Sequence, residues 1–280
     1  MACCTALSPT SLRAAFIATI AVALAALAGA VGAAPRIVSL DQCADQYVLA
    51  LAPRDQIVGL SQRALNDDSY LRAAAAGLPE RRATLEAILG EQPTVVVTYW
   101  AGDLRLPAAL ARRGVALVRI DEATDFAGVR ADVRKVAAAL DRRAAGDALI
   151  GQMDAKLAQS RGAWGRARAL YLTPGAVTAG PGTLVGAMMA AAGLVSASAA
   201  SGYAPVRLEA LVLNPPAALV LGFFRDWAGG RQHWSIAGAG YLRDLARRRA
   251  IASLPGSILG CPAWFAADGA LALAKARPAS

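Results

Sequence analysis

Histidine is almost absent from this chain, which has one such residue, His233, among 280. Zinc, copper and non-haem iron sites usually combine several imidazole or thiolate ligands. The composition therefore argues against a bare metal ion, and we predict no metal site. Acid–base catalysis by histidine would depend on His233 alone, and we interpret that residue as part of the surface.

Signature motifs of several enzyme classes are also missing. The sequence has no Gly-x-Ser-x-Gly elbow of the α/β-hydrolases and no Gly-Lys-Ser/Thr phosphate loop. The spacing Gly180-x-Gly182-x-x-x-Gly186 is one residue too long for the dinucleotide fingerprint, and a tight turn before a helix explains it. We predict no catalytic residues and a protein that is not an enzyme. The alternative, a secreted α/β enzyme that uses cleft carboxylates such as Asp41 and Asp103, stays open.

Long apolar runs are confined to the N-terminus. Residues 1–33 carry one charged side chain, Arg13, followed by an apolar run over 14–28 and then by small residues. This order is typical of a secretory signal peptide, and the run is shorter than the ~20 residues of a membrane-spanning helix. We predict a signal peptide over 1–33, cleaved after Ala30 or Ala33, and a periplasmic protein.

Cysteine is scarce, and two of the four cysteines, Cys43 and Cys261, lie beyond the predicted signal peptide. An even number of cysteines in an oxidising compartment favours a disulfide. The alternative is two isolated, partly buried thiols. Both interpretations stay open, because a sequence does not show whether two Cα atoms lie close enough for a bridge.

Basic residues exceed acidic ones by 29 to 20, but they are scattered along the chain. The arginine clusters at 81–82, 112–113, 142–143 and 247–249 fall on predicted helix faces or ends, where solvated side chains are expected. Nucleic-acid binding would need a concentrated basic stripe with aromatic residues among it. We therefore predict no nucleic-acid partner.

Strand-like and helix-like segments alternate through most of the chain. This alternation predicts mainly parallel sheets that are covered by helices on both faces. Residues 126–163 have no strand-like run, and they predict two helices with a break near 141–143. The second helix would be ~30 Å long at 1.5 Å per residue, which is long enough to join two lobes. At the C-terminus we predict a strand over 257–259 and a helix over 262–274.

An internal repeat supports two similar lobes. Leu-Glu-Ala at 85–87 precedes Pro93 and a strand that ends at Trp100, and Leu-Glu-Ala at 208–210 precedes Pro216 and a strand that ends in aromatics. We predict an N-terminal α/β lobe over 34–125, a helical linker over 126–163 and a C-terminal α/β lobe over 164–280. In open α/β sheets, ligands lie beyond the carboxyl ends of the strands.

Three segments, 36–61, 84–97 and 207–220, resemble the iron-siderophore and vitamin B12 periplasmic binding proteins of ABC importers. The resemblance implies two Rossmann-like α/β lobes joined by one long helix, the class III architecture. It implies a metal chelate, a ferric siderophore or a cobalamin, held between the lobes and delivered to permease subunits at the inner membrane. It also implies a monomer without a cofactor of its own.

The resemblance further implies roles for individual residues. Glu86 and Glu209 match the glutamates that dock onto arginines of the permease. The alternative is that both only stabilise helix N-termini through the macrodipole. The Cys43/Cys261 pair would lie near the cleft mouth and, if bridged, would restrain the cleft.

Ligand contacts follow from the same resemblance, with polar residues after the first strand, aromatic walls and arginines for acidic groups. The candidate ligand-binding residues are Asp41, Gln42, Arg63, Tyr70, Trp100, Phe223, Arg225, Trp227 and Trp264. A haem-binding protein of the same fold is the other alternative, with Tyr99, Tyr70 or His233 as the axial ligand of the iron.

Overall fold

The structure is a computed structural model that describes residues 34–100, 103–223 and 240–277. The predicted signal peptide lies outside these ranges, as do Arg225, Trp227 and His233. Five parallel strands form the first sheet, in the order β3-β2-β1-β4-β5. They are β1 (Ile37–Ser39), β2 (Ile57–Ser61), β3 (Glu80–Arg81), β4 (Val95–Thr98) and β5 (Ala116–Arg119).

Helices cover both faces of this sheet. They are α1 (Gln42–Leu51), α2 (Arg72–Ala75), α3 (Leu85–Gly90) and α4 (Leu106–Ala111). Val38 and Val96 join an apolar cluster with Ile88 of α3, whereas their neighbours Ile37 and Val97 face the larger core on the other side. This alternation with a period of two is what a parallel sheet with two covered faces requires.

Two helices, α5 (Phe126–Ala139) and α6 (Arg143–Ser160), follow the first sheet in the chain. The break between them, where Asp141 has a left-handed backbone (φ 54°), lies where the sequence predicted it. The 18 residues of α6 span about 27 Å at 1.5 Å per residue. At Gly146 a Cβ atom would lie 2.6 Å from the Cβ of Ala137 on α5, so this glycine lets the two helices pack closely.

The second sheet has four parallel strands in the order β11-β10-β6-β8, beside a two-stranded antiparallel ribbon of β7 and β9. The strands are β6 (Ala167–Leu172), β7 (Val177–Ala179), β8 (Leu194–Ser196), β9 (Tyr203–Pro205), β10 (Ala218–Gly222) and β11 (Ala250–Leu254). The helices are α7 (Leu184–Ala191), α8 (Leu208–Leu213), α9 (Gly240–Arg249), α10 (Gly256–Leu259) and α11 (Ala266–Lys275). The terminal helix α11 packs along α6 and α7.

Two parallel sheets connected through a long helix confirm the predicted α/β fold class. One prediction was wrong, because residues 257–259 belong to helix α10 and the strand is β11, immediately before it. The alanine-rich sequence of β11 shows no clear alternation, and its pairing with β10 makes it a strand. Pro255 has no N–H to give to the ladder and ends it.

Candidate functional site

Polar and aromatic side chains follow the strands of the first sheet at their carboxyl ends. Asp41 comes just after β1, Tyr99 and Trp100 follow β4, and Glu122 comes three residues after β5. Carboxyl ends of parallel strands meet at one edge of the sheet, so these four residues share the edge where ligands bind in such folds.

Asp41 is the N-cap of α1, and its carboxylate is fully occupied by protein donors. Its Oδ1 accepts the amides of Cys43 at 3.1 Å and Ala44 at 2.9 Å. Its Oδ2 accepts the amides of Tyr99 at 2.7 Å and Trp100 at 3.2 Å, and the Thr98 hydroxyl at 3.2 Å. Desolvation raises the pKa of Asp41, and these hydrogen bonds oppose the rise. The carboxylate thus joins the first helix to the loop after β4.

Gln42, the other polar candidate after β1, is 7% exposed on the first turn of α1. Its carbonyl accepts the side-chain amide of Gln46 at 3.0 Å. The structure therefore gives the Asp41 side chain a role inside the protein, and neither Asp41 nor Gln42 lines the cavity described below.

Tyr99 and Trp100 form the aromatic part of this edge, with ring centroids 5.3 Å apart in an edge-on arrangement. The Trp100 side chain is 68% exposed. The Tyr99 hydroxyl donates to the carboxylate of Glu122. Desolvation raises the pKa of Glu122 above its usual value. No motif in the sequence marks Glu122 as a site residue.

A cavity of about 180 Å³ lies between this edge and residues that belong to the second sheet and its helices. Tyr99 and Glu122 line one side, and Tyr203 of β9 with the first turns of α7 lines the other. Desolvation and the charge of Glu122 raise the pKa of Tyr203. The described residues that line this cavity include no basic side chain. Two tyrosines and one carboxylate thus form its polar lining, beside aliphatic residues that include Leu184 and Leu259.

Phe223 follows β10 at the carboxyl edge of the second sheet, and its amide donates to the carbonyl of Leu254 at 3.1 Å. Its backbone is left-handed (φ 63°), which is uncommon for a bulky residue and costs conformational energy. The structure describes the chain only up to this residue before it resumes at Gly240.

A disulfide joins Cys43 of α1 to Cys261, with the Cα atoms 5.3 Å apart across a sequence separation of 218 residues. Cys261 also lines the cavity, between Gly260 and Pro262. The bridge therefore ties the first turn of α1 to the segment that follows the second sheet, at the edge of the candidate site.

Two aromatic candidates lie elsewhere. Trp264 is 6% exposed and packs edge-on against Tyr47, whose hydroxyl donates to the carbonyl of Pro262 at 2.7 Å. Tyr70 stacks on Phe265 with centroids 4.2 Å apart, and its hydroxyl donates to Asp268 at 2.7 Å. These contacts hold the C-terminal segment against the first lobe. They bring Tyr70 and Trp264 together, but not with Trp100 and the cavity.

Arg63 is exposed and forms an ion pair with Asp68 at 3.5 Å rather than lining the cavity. In the described ranges no group of three or more His, Cys, Asp or Glu side chains forms a metal cluster. A membrane-crossing helix, long and apolar enough for that role, is likewise not found among those residues.

A profile of the family described as periplasmic binding protein matches residues 37–223, which includes most of both sheets. The chain belongs to the periplasmic binding protein family.

Relatives and structures agree with this family. A "Cobalamin-binding protein" of Halobacterium salinarum is 27% identical over 202 residues, which are 68% of this chain and 54% of the relative. The chain thus spans about half the length of the curated relatives it matches.

Among solved structures, the periplasmic heme-binding protein RhuT of Roseiflexus sp. RS-1 aligns with a TM-score of 0.65 and 24% identity, covering 87% of this chain and 97% of that one. The periplasmic vitamin B12-binding protein BtuF of Vibrio cholerae aligns with a TM-score of 0.59 and 18% identity, covering 86% and 96%. At these identities the structures show a shared fold.

Glu86 and Glu209 occupy equivalent places in the two lobes of this periplasmic binding protein. Each is the second residue of a six-residue helix, α3 or α8, that leads to a central strand of its sheet. Both side chains are exposed, and neither has a cation within 4.0 Å among the residues that the structure describes. The equivalence confirms the repeat, and each carboxylate is accessible to a partner.

Asp45, on α1, lies behind the carboxyl ends of β1 and β2, and no motif in the sequence marks it. Its carboxylate is fully buried and accepts the Ser39 hydroxyl, the Ser61 amide at 2.9 Å and the Ser61 hydroxyl at 2.5 Å. Desolvation raises the pKa of Asp45 to about 6. Ser39 ends β1 and Ser61 ends β2. Hydroxyl groups at the ends of these two neighbouring strands are the sequence signal for a buried hydrogen-bond acceptor on α1.

Proposed function

We propose that this protein is the solute-binding component of an ABC importer, which takes a metal chelate between its lobes and delivers it to permease subunits. The observation that carries the proposal is the cavity that Tyr99 and Glu122 of the first lobe form with Tyr203 of the second. A ligand in that position would contact both lobes at once. The family, and a disulfide that suits an oxidising compartment, support a periplasmic location.

Within this class we propose a corrinoid of the cobalamin type as the ligand. Tyr99, Trp100 and Tyr203 offer aromatic surface for a broad apolar ring. The carboxylate of Glu122 and the tyrosine hydroxyls offer acceptors for the amide N–H groups at a corrinoid's periphery. The name of the Halobacterium relative supports the same class.

Haem is the second candidate, and it is favoured by the Tyr99 hydroxyl at the cavity. A tyrosine oxygen is an established axial ligand of haem iron. The heme-binding RhuT has the same fold. Of the other axial candidates, Tyr70 is committed to Phe265 and Asp268, and His233 lies outside the described ranges. Ferric siderophores complete the set of ligands to be tested.

The enzyme alternative has less support, because both of its carboxylates are held by other groups. Five donors surround Asp41, as described above. Asp103 pairs with Arg105 at 2.6 Å, and that contact lowers the pKa of Asp103 to about 2. Ligand that binds stoichiometrically and is recovered unchanged would distinguish a binding protein from such an enzyme.

The first experiment is a thermal-shift and calorimetric screen of residues 34–280 against cyanocobalamin, cobinamide, haemin and ferric siderophores. A ligand at a hundredfold excess over its Kd stabilises the native state by ~2.7 kcal/mol, so a true ligand gives a clear shift. We expect cyanocobalamin or cobinamide to give it. A shift with haemin alone would overturn the corrinoid proposal, and no shift with any chelate would overturn the ligand class.

A pair of variants distinguishes haem from a corrinoid as the ligand. Tyr99→Phe removes the hydroxyl and should shift the Soret band of a haem complex from its wild-type position, because the iron loses its axial oxygen, while changing corrinoid affinity only a few-fold. Tyr241→Phe is the matched control, since its hydroxyl donates to the carbonyl of Leu211, away from the cavity. A Soret band that stays at the wild-type position in Tyr99→Phe would exclude Tyr99 as an iron ligand.

Docking on the permease through Glu86 and Glu209 belongs to the same proposal. Two carboxylates at a fixed separation can pair with basic residues of a partner only when the lobes have the matching spacing. We propose that the protein acts as a monomer, with lobes over 34–125 and 164–280 and a linker over 126–163. The accessible positions of both glutamates support this view.

A further inference from the structure

We infer that Asp41 is a positioning residue for the aromatic side of the proposed ligand site. It acts through Tyr99 and Trp100 rather than by touching the ligand. This inference rests on the proposed ligand site. Its basis is that the two carboxylate oxygens of Asp41 accept hydrogen bonds from different parts of the chain. Oδ1 accepts only from the amides at the start of α1, and Oδ2 accepts only from residues 98–100.

The clamp on Oδ2 holds the backbone at both residues of the aromatic pair. The Thr98 hydroxyl, shared between Oδ2 and the Trp100 carbonyl, adds to it. The Tyr99 ring is held further by Glu122, whereas the Trp100 side chain is largely exposed. A charged acceptor that takes two consecutive amides and a hydroxyl fixes the backbone of this turn, and charge-assisted hydrogen bonds are the stronger kind. Asp41 therefore fixes the backbone from which the Tyr99 ring lines the cavity and the exposed Trp100 ring projects beside it.

The helix-capping role of Asp41 can be separated from the clamp, because Asp125 offers a matched comparison. Asp125 caps α5 with nearly the same backbone (φ −149°, ψ 176°, against −148° and 165° for Asp41). Its Oδ1 accepts the amide of Gly128 at 2.8 Å, and no hydrogen bond joins it to the described residues of the loop after β4. A change at Asp125 thus tests a cap without a clamp.

Asparagine is the decisive substitution, because it keeps one oxygen for the cap and replaces the other with a donor. Asn caps helices about as well as Asp. In Asp41→Asn the side-chain NH₂ faces the amides of Tyr99 and Trp100 and accepts from neither. Asp41→Ser, a shorter cap that does not reach the loop, is the second variant if Asp41→Asn fails to fold.

The first readout is amide hydrogen exchange at Tyr99 and Trp100 in the whole protein, which needs no ligand. We expect exchange at least about tenfold faster in Asp41→Asn than in wild type, with no change in Asp125→Asn. Unchanged exchange in Asp41→Asn would overturn the inference. Because this readout is independent of the ligand, it also decides the matter if no chelate binds and the proposed function fails.

The second readout is the affinity for cyanocobalamin in a double-mutant cycle. We expect Asp41→Asn to weaken binding about tenfold in the wild-type background and to have little effect in the Trp100→Ala background, since the clamp acts through that ring. A role that is only structural predicts equal losses in both backgrounds. If wild type binds cyanocobalamin and Asp41→Asn binds it equally well, the inference is wrong while the proposed function stands.

Discussion

Asp45 illustrates how much one buried carboxyl group depends on neutral partners. Serine hydroxyls and one backbone amide surround it, and the nearby charge of Asp41 adds to the effect of burial. None of its hydrogen-bond partners is a cation. The carboxyl group therefore favours its protonated form more in the folded protein than in the unfolded chain.

This environment predicts a pH dependence of stability. The folded pKa of Asp45 is about 6 against an ordinary 3.8. Its contribution is therefore fully present below pH 3.8, and it is lost as the pH rises through about 6. At 1.36 kcal/mol per pKa unit, the loss is roughly 3 kcal/mol.

Asp45→Asn should remove this contribution. We expect the free energy of unfolding of wild type to fall relative to that of the variant between pH 4 and pH 7, as measured by urea denaturation. Parallel pH profiles for the two proteins would show that Asp45 titrates in the folded state as it does in the unfolded chain.

At the scale of elements, helix α6 carries two glycines in different surroundings, one at the crossing with α5 and one facing open space. A Cβ at Gly146 would meet Ala137 at 2.6 Å and the carbonyl of Val133 at 3.7 Å. A Cβ at Gly151, on the same helix, would meet nothing within 4 Å. Alanine is favoured over glycine within a helix by roughly 0.5–1 kcal/mol, so only the packing differs between the two sites.

We predict effects of opposite sign at these positions. Gly146→Ala should lower the free energy of unfolding by about 1–3 kcal/mol, because overpacking outweighs helix propensity. Gly151→Ala should raise it by up to about 1 kcal/mol. Chemical denaturation of both variants measures the contrast, and a stabilised Gly146→Ala would mean that the helices separate without cost.

The same elements show what the sequence could predict. The residue pattern predicted α5, α6 and the break between them, because both helices are long and the segment contains no strand-like run. The strands β3, β7, β8 and β9 are two or three residues long and owe their conformation to pairing with distant segments, which no local pattern encodes. At the site, the role of Trp100 in ligand binding stays a prediction. The resemblance did not predict that Tyr70 would pack against the C-terminal segment that carries Trp264, because that contact depends on the chain's return to the first lobe.

At the scale of the whole molecule, the two exposed glutamates belong to different lobes and would act as a pair. Replacing either with glutamine removes a charge without changing its size. We expect Glu86→Gln and Glu209→Gln each to weaken docking on the protein's reconstituted importer about tenfold, with ligand affinity unchanged. Ligand-stimulated ATP hydrolysis by the importer measures docking.

Glu80→Gln is the matched control, since Glu80 is an exposed glutamate of the first lobe, on strand β3. Stimulation that survives in the double variant Glu86→Gln/Glu209→Gln would restrict these residues to stabilising their own helices.

The disulfide also acts on the whole molecule. In the loop-closure model, a bridge across 218 residues removes enough entropy from the unfolded chain to stabilise the native state by roughly 5 kcal/mol. We expect the double variant Cys43→Ala/Cys261→Ala to lose several kcal/mol in urea denaturation, and wild type in reductant to match it. Cyanocobalamin affinities that are equal with and without reductant would show that the bridge stabilises the fold without restraining the cleft.

The bridge also has a consequence for biosynthesis. A ribosome completes Cys43 long before Cys261, so the first cysteine spends most of the chain's synthesis without its partner. The two thiols made earlier, Cys3 and Cys4, belong to the predicted signal peptide, and its removal would leave Cys261 as the remaining partner. Closure of the bridge would then require synthesis to have passed residue 261, and a nascent fragment that stops before it would keep a free thiol on its first helix.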